Sequence, residues 1–127
     1  MRRKLSDFEK RWLKLFASEI SEKDIEKYVV SYGNYIWHVF SWELKPKGSY
    51  LVGDAAQEAF DRADKSGARY YEPFPENGEH EPSYDSPSAA ELDELIECYA
   101  LSADESWTYI KTHEGDLCGP YFYKREI

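Results

Sequence analysis

Apolar side chains recur at spacings of three and four through Phe8, Trp12, Leu15, Phe16 and Ile20, which aligns them as one stripe of a helix. Ser6 precedes the stripe and Glu9 follows it by three, a capping box in which each side chain satisfies an orphan backbone N–H at the helix start. A first helix is predicted from Asp7 to Ala17. Ser21 with Asp24 marks the start of a second, short helix, with Ile25, Tyr28 and Val29 on one face and its end before Gly33. The run Tyr35 to Glu43, YIWHVFSWE, is aromatic and β-branched and is bounded by a Gly-Asn turn signal and by Pro46. It is predicted as a strand, apolar on both faces and central.

Tyr50 to Val52 adds a brief extended piece. Behind Gly53, DAAQEAFDRADK is built of good helix formers, with Ala56, Ala59, Phe60 and Ala63 on one side and Gly67 as the stop. Ala68 to Phe74 reads as a strand whose Pro73 belongs at an end or edge. A Pro-, Gly- and Ser-containing loop, PENGEHEPSYDSPS, leads to a capping box of Ser88 and Glu91 and a short helix with Leu92, Leu95 and Ile96 inward. Cys98 to Ala103, Trp107 to His113 and Tyr121 to Lys124 follow as a meander, turned at Asp104-Glu105 and at Gly119-Pro120. Alternation puts Trp107, Tyr109, Lys111 and His113 on one face. The order is α-α-β-α-β-α-β-β-β, an α+β fold with a mainly antiparallel sheet of about five strands and helices packed on one face.

Length adds that the 127 residues form a single domain, 1–127, able to bury roughly two-thirds of its unfolded surface without staples. The aromatic fraction of 17% is high and points first to an aromatic core, with recognition surfaces as the other use of such rings. No stretch reaches a membrane-spanning length and the basic start lacks an apolar segment behind it, so residence in the cytoplasm is expected. Cys98 and Cys118 are expected reduced and structural.

The net charge of −9 opposes binding to phosphate backbones, which rests on Lys and Arg releasing counterions. Charge is also uneven. From Tyr70 to Ile110 there is no Lys or Arg, yet the stretch holds eleven acids. Such a surface orients and speeds the docking of a basic partner. The candidate contacts are Glu76, Glu79, Glu81, Tyr84 and Asp85, and the competing reading is a solvated acidic face that keeps the chain soluble.

Candidate chemistry is sparse. His38, His113, Cys98 and Cys118 are a zinc-compatible set, but the spacings that mark metal sites are missing, so no metal is expected. Nucleotide, dinucleotide and serine-hydrolase signatures are absent too, and no cofactor is expected. A catalytic reading rests on His113 as general base with Glu114 as its partner, in a pocket with Trp107 and Tyr109 and with His38 as a further candidate. His38, inside an apolar run, fits a hydrogen-bonded core residue better than a catalyst.

The blocks YIWHVFSWE, DAAQEAFDRADK, ESWTYIKTHE and CGPYF resemble a family of small bacterial proteins grouped as domain of unknown function 4275. The matching positions are Trp37, His38, Phe40, Trp107, Thr108, Tyr109, Thr112, His113, Glu114, Gly119, Pro120, Tyr121 and Phe122. The resemblance implies a coherent fold and a bacterial origin and carries no activity with it. The residues themselves favour a non-enzymatic binding protein, an immunity- or antitoxin-like inhibitor that offers an acidic surface to a basic, toxin-like protein. The alternatives are a small enzyme or ligand-binding domain at His113, or a structural interaction domain.

Overall fold

The computed structural model describes residues 5–46, 48–73, 84–114 and 119–125. The backbone gathers into two compact units, Met1–Ser49 and Tyr50–Ile127.

The first unit is helical. Helix α1 spans Asp7–Phe16, and both hydrogen bonds of the Ser6–Glu9 capping box form. Its stripe buries Phe8, Trp12 and Phe16. The Trp12 ring tilts against Phe16 at 5.3 Å and meets Phe40 edge-on at 5.9 Å. Helix α2 spans Glu22–Tyr28 with Ser21 as N-cap, and a 3₁₀ turn at Val30–Tyr32 closes onto Gly33, which sits at φ 92°. There a Cβ would come within 2.8 Å of the Tyr35 ring, so both conformation and space call for glycine.

The run Tyr35–Glu43 is not a strand. It turns into the short helix α3, His38–Ser41. Ile36, Trp37, Val39 and Phe40 are buried, a helical rather than an alternating pattern. Locally, Asn34 and Glu43 take positive φ at either side of the run, and His38 Nδ1 meets Ser41 Oγ at 2.9 Å, an i,i+3 pair that only a helical turn brings together. An apolar run this short carries no period of its own, and the polar bonds decided it.

The second unit holds the sheet. Strands β1 (Leu51–Val52), β2 (Arg69–Tyr71), β3 (Cys98–Leu101), β4 (Trp107–Lys111) and β5 (Tyr121–Lys124) lie in the order β1-β5-β4-β3-β2, every neighbouring pair antiparallel. The predicted element order and α+β class hold, with Leu51–Val52 taking the place of Tyr35–Glu43 as first strand. Helices α4 (Asp54–Arg62) and α5 (Ala89–Leu92) lie on the face bearing Tyr70, Cys98, Ala100, Trp107, Tyr109 and Phe122. Ser88 and Glu91 complete a capping box at the start of α5.

Phe60 is the hub of that layer. Its ring stacks on Tyr109 at 4.3 Å and meets Trp107 edge-on at 5.8 Å, and it is fully buried. Such geometries add to the area-based burial term. Phe60→Ala is therefore expected to cost about 3–5 kcal/mol in urea unfolding of the whole chain. A loss below about 1 kcal/mol would mean that α4 is not anchored through this ring.

Candidate functional site

The polar centre of the second unit joins the expected His113 to a carboxylate that was not among the candidate site residues. Glu97, immediately before β3, is 1% exposed. Its Oε1 accepts from the His113 backbone N–H at 2.9 Å and from His113 Nδ1 at 2.7 Å, while Oε2 accepts from the Tyr99 hydroxyl. The register explains the meeting: Cys98 pairs with Lys111, so the residues just beyond this end of the β3–β4 ladder come together. A buried carboxylate needs several donors to offset its desolvation, and here at least three reach it. When Nδ1–H donates to Glu97, Nε2 is the nitrogen left to accept a proton, which is the orientation an imidazole base requires. The His113 side chain is 29% exposed.

Of the residues expected around His113, Glu114 is exposed, and the carboxylate on the imidazole is Glu97. Trp107 and Tyr109 lie in the α4–α5 core; Trp107 begins β4, at the far end from His113. His38 belongs to the other compact unit, with Nδ1 on Ser41 and Nε2 bonded to the Tyr32 carbonyl at 3.0 Å. Cys98 is a free thiol, fully buried, and burial, with the Glu72 and Glu97 carboxylates, pushes it well above the usual thiol range. Cys118 lies outside the described residues. Among the described residues no group of three or more His, Cys, Asp or Glu is arranged to hold a metal ion, and no helix is long and apolar enough to cross a membrane.

The expected partner-binding residues divide. Glu76, Glu79 and Glu81 lie outside the described residues. Asp85 is exposed. Tyr84 is half-buried, donates to Glu72 Oε2 at 2.8 Å and meets the Tyr70 ring edge-on at 5.3 Å. Burial first, then the Glu72 carboxylate, raises its phenol above the usual range.

The acids of α4 and α5 form one layer. Asp54, Glu58, Asp61, Glu91, Asp93 and Glu94 are exposed. The helices are tied by Gln57 Nε2 donating to Asp93 Oδ2 at 3.0 Å and by Asp61 Oδ1 accepting the Ala89 N–H at 2.7 Å. The amphipathic pattern of α4, which sends Ala56 and Phe60 inward, also sends these carboxylates outward. Two cations accompany them: Arg62 pairs with Glu58 at 2.5 Å, and the Lys65 ammonium lies over the Phe60 ring at 4.8 Å.

A cleft of about 560 Å³ opens at the C-terminal end of α4. Trp107 and Phe122 line it, their rings stacked at 5.6 Å and 26°. Ala59 of α4, Ala63 just after it and Ala103 of the β3–β4 turn also line it, with Arg62, Lys124, Asp64 and Asp104 as its charged groups. Alanines on a helix face read as packing in a sequence, and only the fold reveals that they leave a hollow.

Fold and site together define a small α+β protein with an aromatic sheet face, an acidic helical layer over it and a buried carboxylate–histidine pair at one strand end. The chain belongs to the family described as Domain of unknown function (DUF4275), which matches residues 3–122. No curated protein and no solved structure matches it.

Glu97→Ala removes the acceptor of three donors and is expected to destabilise the chain by about 2–3 kcal/mol, whereas Glu114→Ala should stay within about 0.5 kcal/mol; equal losses in denaturant unfolding would contradict the assignment. A second test uses Tyr70, 2% exposed, whose hydroxyl has no hydrogen-bond partner among the described residues. Burial, with Cys98, pushes this phenol from 10.0 up to about 12. The unfolded chain then sheds the proton first, so stability is intact below pH 10 and falls as pH rises from 10.0 towards about 12. Tyr70→Phe is expected to leave neutral-pH stability unchanged or raise it by up to about 1 kcal/mol, and to make the alkaline loss shallower. A steeper loss in the variant would contradict this placement of the hydroxyl.

Proposed function

We propose that the protein is a non-enzymatic binding protein that offers the acidic α4–α5 layer to a basic protein partner, in the manner of an immunity or antitoxin-like inhibitor. One observation carries the reading: six exposed carboxylates, Asp54, Glu58 and Asp61 of α4, Glu91 of α5, and Asp93 and Glu94 just after it, stand on two segments tied to each other by side-chain bonds, with Arg62 and Lys65 as the cations on those segments among the described residues. Rigidly presented like charges keep their field when a partner approaches, and such a field raises association rates and orients the encounter. Asp85, exposed in the segment before α5, belongs to the same proposal. The partner's Lys and Arg would meet carboxylates where a nuclease would meet phosphates. Glu76, Glu79 and Glu81 belong to the same proposal by sequence.

A second reading, a small enzyme or ligand-binding domain at His113, is favoured by the 2.7 Å bond from His113 Nδ1 to Glu97. Glu97 takes the part that Glu114 was expected to play.

The two readings separate in one experiment. The immobilised chain is exposed to extract of the cells that make it, in parallel with Glu58→Lys/Glu91→Lys/Glu94→Lys and with His113→Ala. A basic protein retained by wild type and His113→Ala, and lost from the charge-reversed variant by at least about tenfold, is the expected result. Retention that ignores the reversal, or that disappears with His113→Ala, would sink the docking proposal.

A further inference from the structure

The cleft at the end of α4 is a site of a different kind, because its groups are neither uniformly acidic nor apolar. The stacked pair Trp107 and Phe122 lines it, each ring mostly buried in the core with a remaining part turned to the cleft. Lys124 is the cross-strand partner of Trp107, so its side chain rises on the same face beside the indole. That ammonium has no ion-pair partner among the described residues, and Lys124 is exposed.

Two carboxylates stand at the cleft on two turns. Asp64 belongs to the turn after α4 and Asp104 to the β3–β4 turn. The turns are pressed together: a Cβ on Gly67, which has φ 72°, would lie 3.1 Å from the Ala103 Cβ. As a result the two carboxylates feel each other's charge. Each is held within its own turn. Asp64 Oδ1 accepts the Ser66 N–H at 3.0 Å. Asp104 Oδ1 takes the Ser102 hydroxyl at 2.9 Å, the Ser106 hydroxyl at 2.6 Å and the Ser106 N–H at 3.0 Å. All three of these bonds fall on one oxygen, which leaves Oδ2 for another donor. Those bonds hold both carboxyls below the usual carboxylate range and hence ionised. Two fixed like charges with an open oxygen attract a cation that brings several N–H donors.

We propose that this cleft binds a free α-amino acid with an aromatic side chain: the ring lies on Trp107 and Phe122, the ammonium between Asp64 and Asp104, and the carboxylate against Lys124. The volume is within the range of small-molecule sites, and the lining pairs two aromatic rings and three alanines with serines and charged groups, a mixture that suits a small ligand with both a ring and charges. The alanines at 59, 63 and 103 leave the room that the ring needs. A purely anionic ligand would meet the repulsion of the two aspartates, and a purely cationic one would leave the Lys124 ammonium unanswered, so the zwitterion is the form that complements the whole cleft.

The test is a titration of the full chain followed by the Trp107 indole N–H resonance, with L-phenylalanine, 3-phenylpropionate, which lacks the ammonium, and phenethylamine, which lacks the carboxylate. Saturable shifts at millimolar L-phenylalanine are expected, with each singly charged analogue about tenfold weaker. Lys124→Met should weaken L-phenylalanine about tenfold and leave phenethylamine unchanged; as Lys124 is exposed, this variant spares the core. Ala63→Leu should fill the hollow and remove saturation while melting like wild type. No saturation with L-phenylalanine, analogues that bind as tightly as the zwitterion, or a Lys124→Met variant that binds all three like wild type would each overturn the proposal.

Discussion

The stacking of Phe60 on Tyr109 at 4.3 Å is the contact on which the rest of the second unit depends. A helix of nine residues has little stability of its own in water, and its position comes from the apolar face it buries. Phe60 supplies that face with an aromatic anchor. Once it is seated, the remaining positions of α4 have no freedom: Ala56 faces the sheet, Glu58 and Asp61 face solvent, and Ala59 and, just after the helix, Ala63 stand at the margin beside Trp107. The acidic layer and the cleft are two consequences of one packing event. A helix turned by a third of a circle would bury carboxylates and close the hollow.

Electrostatics follow the same division between inside and outside. In the second unit the buried Glu97 carboxylate is met by donors from His113 and Tyr99. Neutral groups on the core face are instead driven away from ionisation, as burial does to Tyr70, Tyr109 and Cys98. Outside, the carboxylates of α4 and α5 keep their water and are positioned through Gln57–Asp93 and Asp61–Ala89. The second of these bonds also caps a neighbouring helix, so the layer is held in part by the charges it displays. Such use of a surface acid as a structural tie explains how so concentrated a negative surface stays ordered.

The sequence was legible where local chemistry and tertiary packing ask for the same thing. Both capping boxes, at Ser6–Glu9 and Ser88–Glu91, and the strand at Tyr121–Lys124 fall where side-chain spacing placed them, because each is decided within a few residues. Trp107–Lys111 was legible by its alternation. Tyr35–Glu43 was not: aromatic and β-branched residues suit a strand, but a His–Ser pair three apart and two positive φ positions bent the chain into a turn of helix. Glu97 was hidden for another reason. In a chain with 25 acidic residues one more carboxylate looks like surface, and its burial depends on a register between β3 and β4 that spacing alone does not give. The cleft was beyond reach for the same cause, since it needs the end of α4, the β3–β4 turn and β5 to be placed together.

The proposed working surface of the protein is the outward face of α4 and α5. An amide NMR titration of the full chain with the basic protein that it retains tests this most directly. The expected result is a set of shifts concentrated at Glu58, Asp61, Glu91, Asp93 and Glu94, weakening steeply as salt is added, with Lys111, His113 and Glu114 unmoved. Shifts centred on His113 and Glu114, or insensitive to salt, would contradict it.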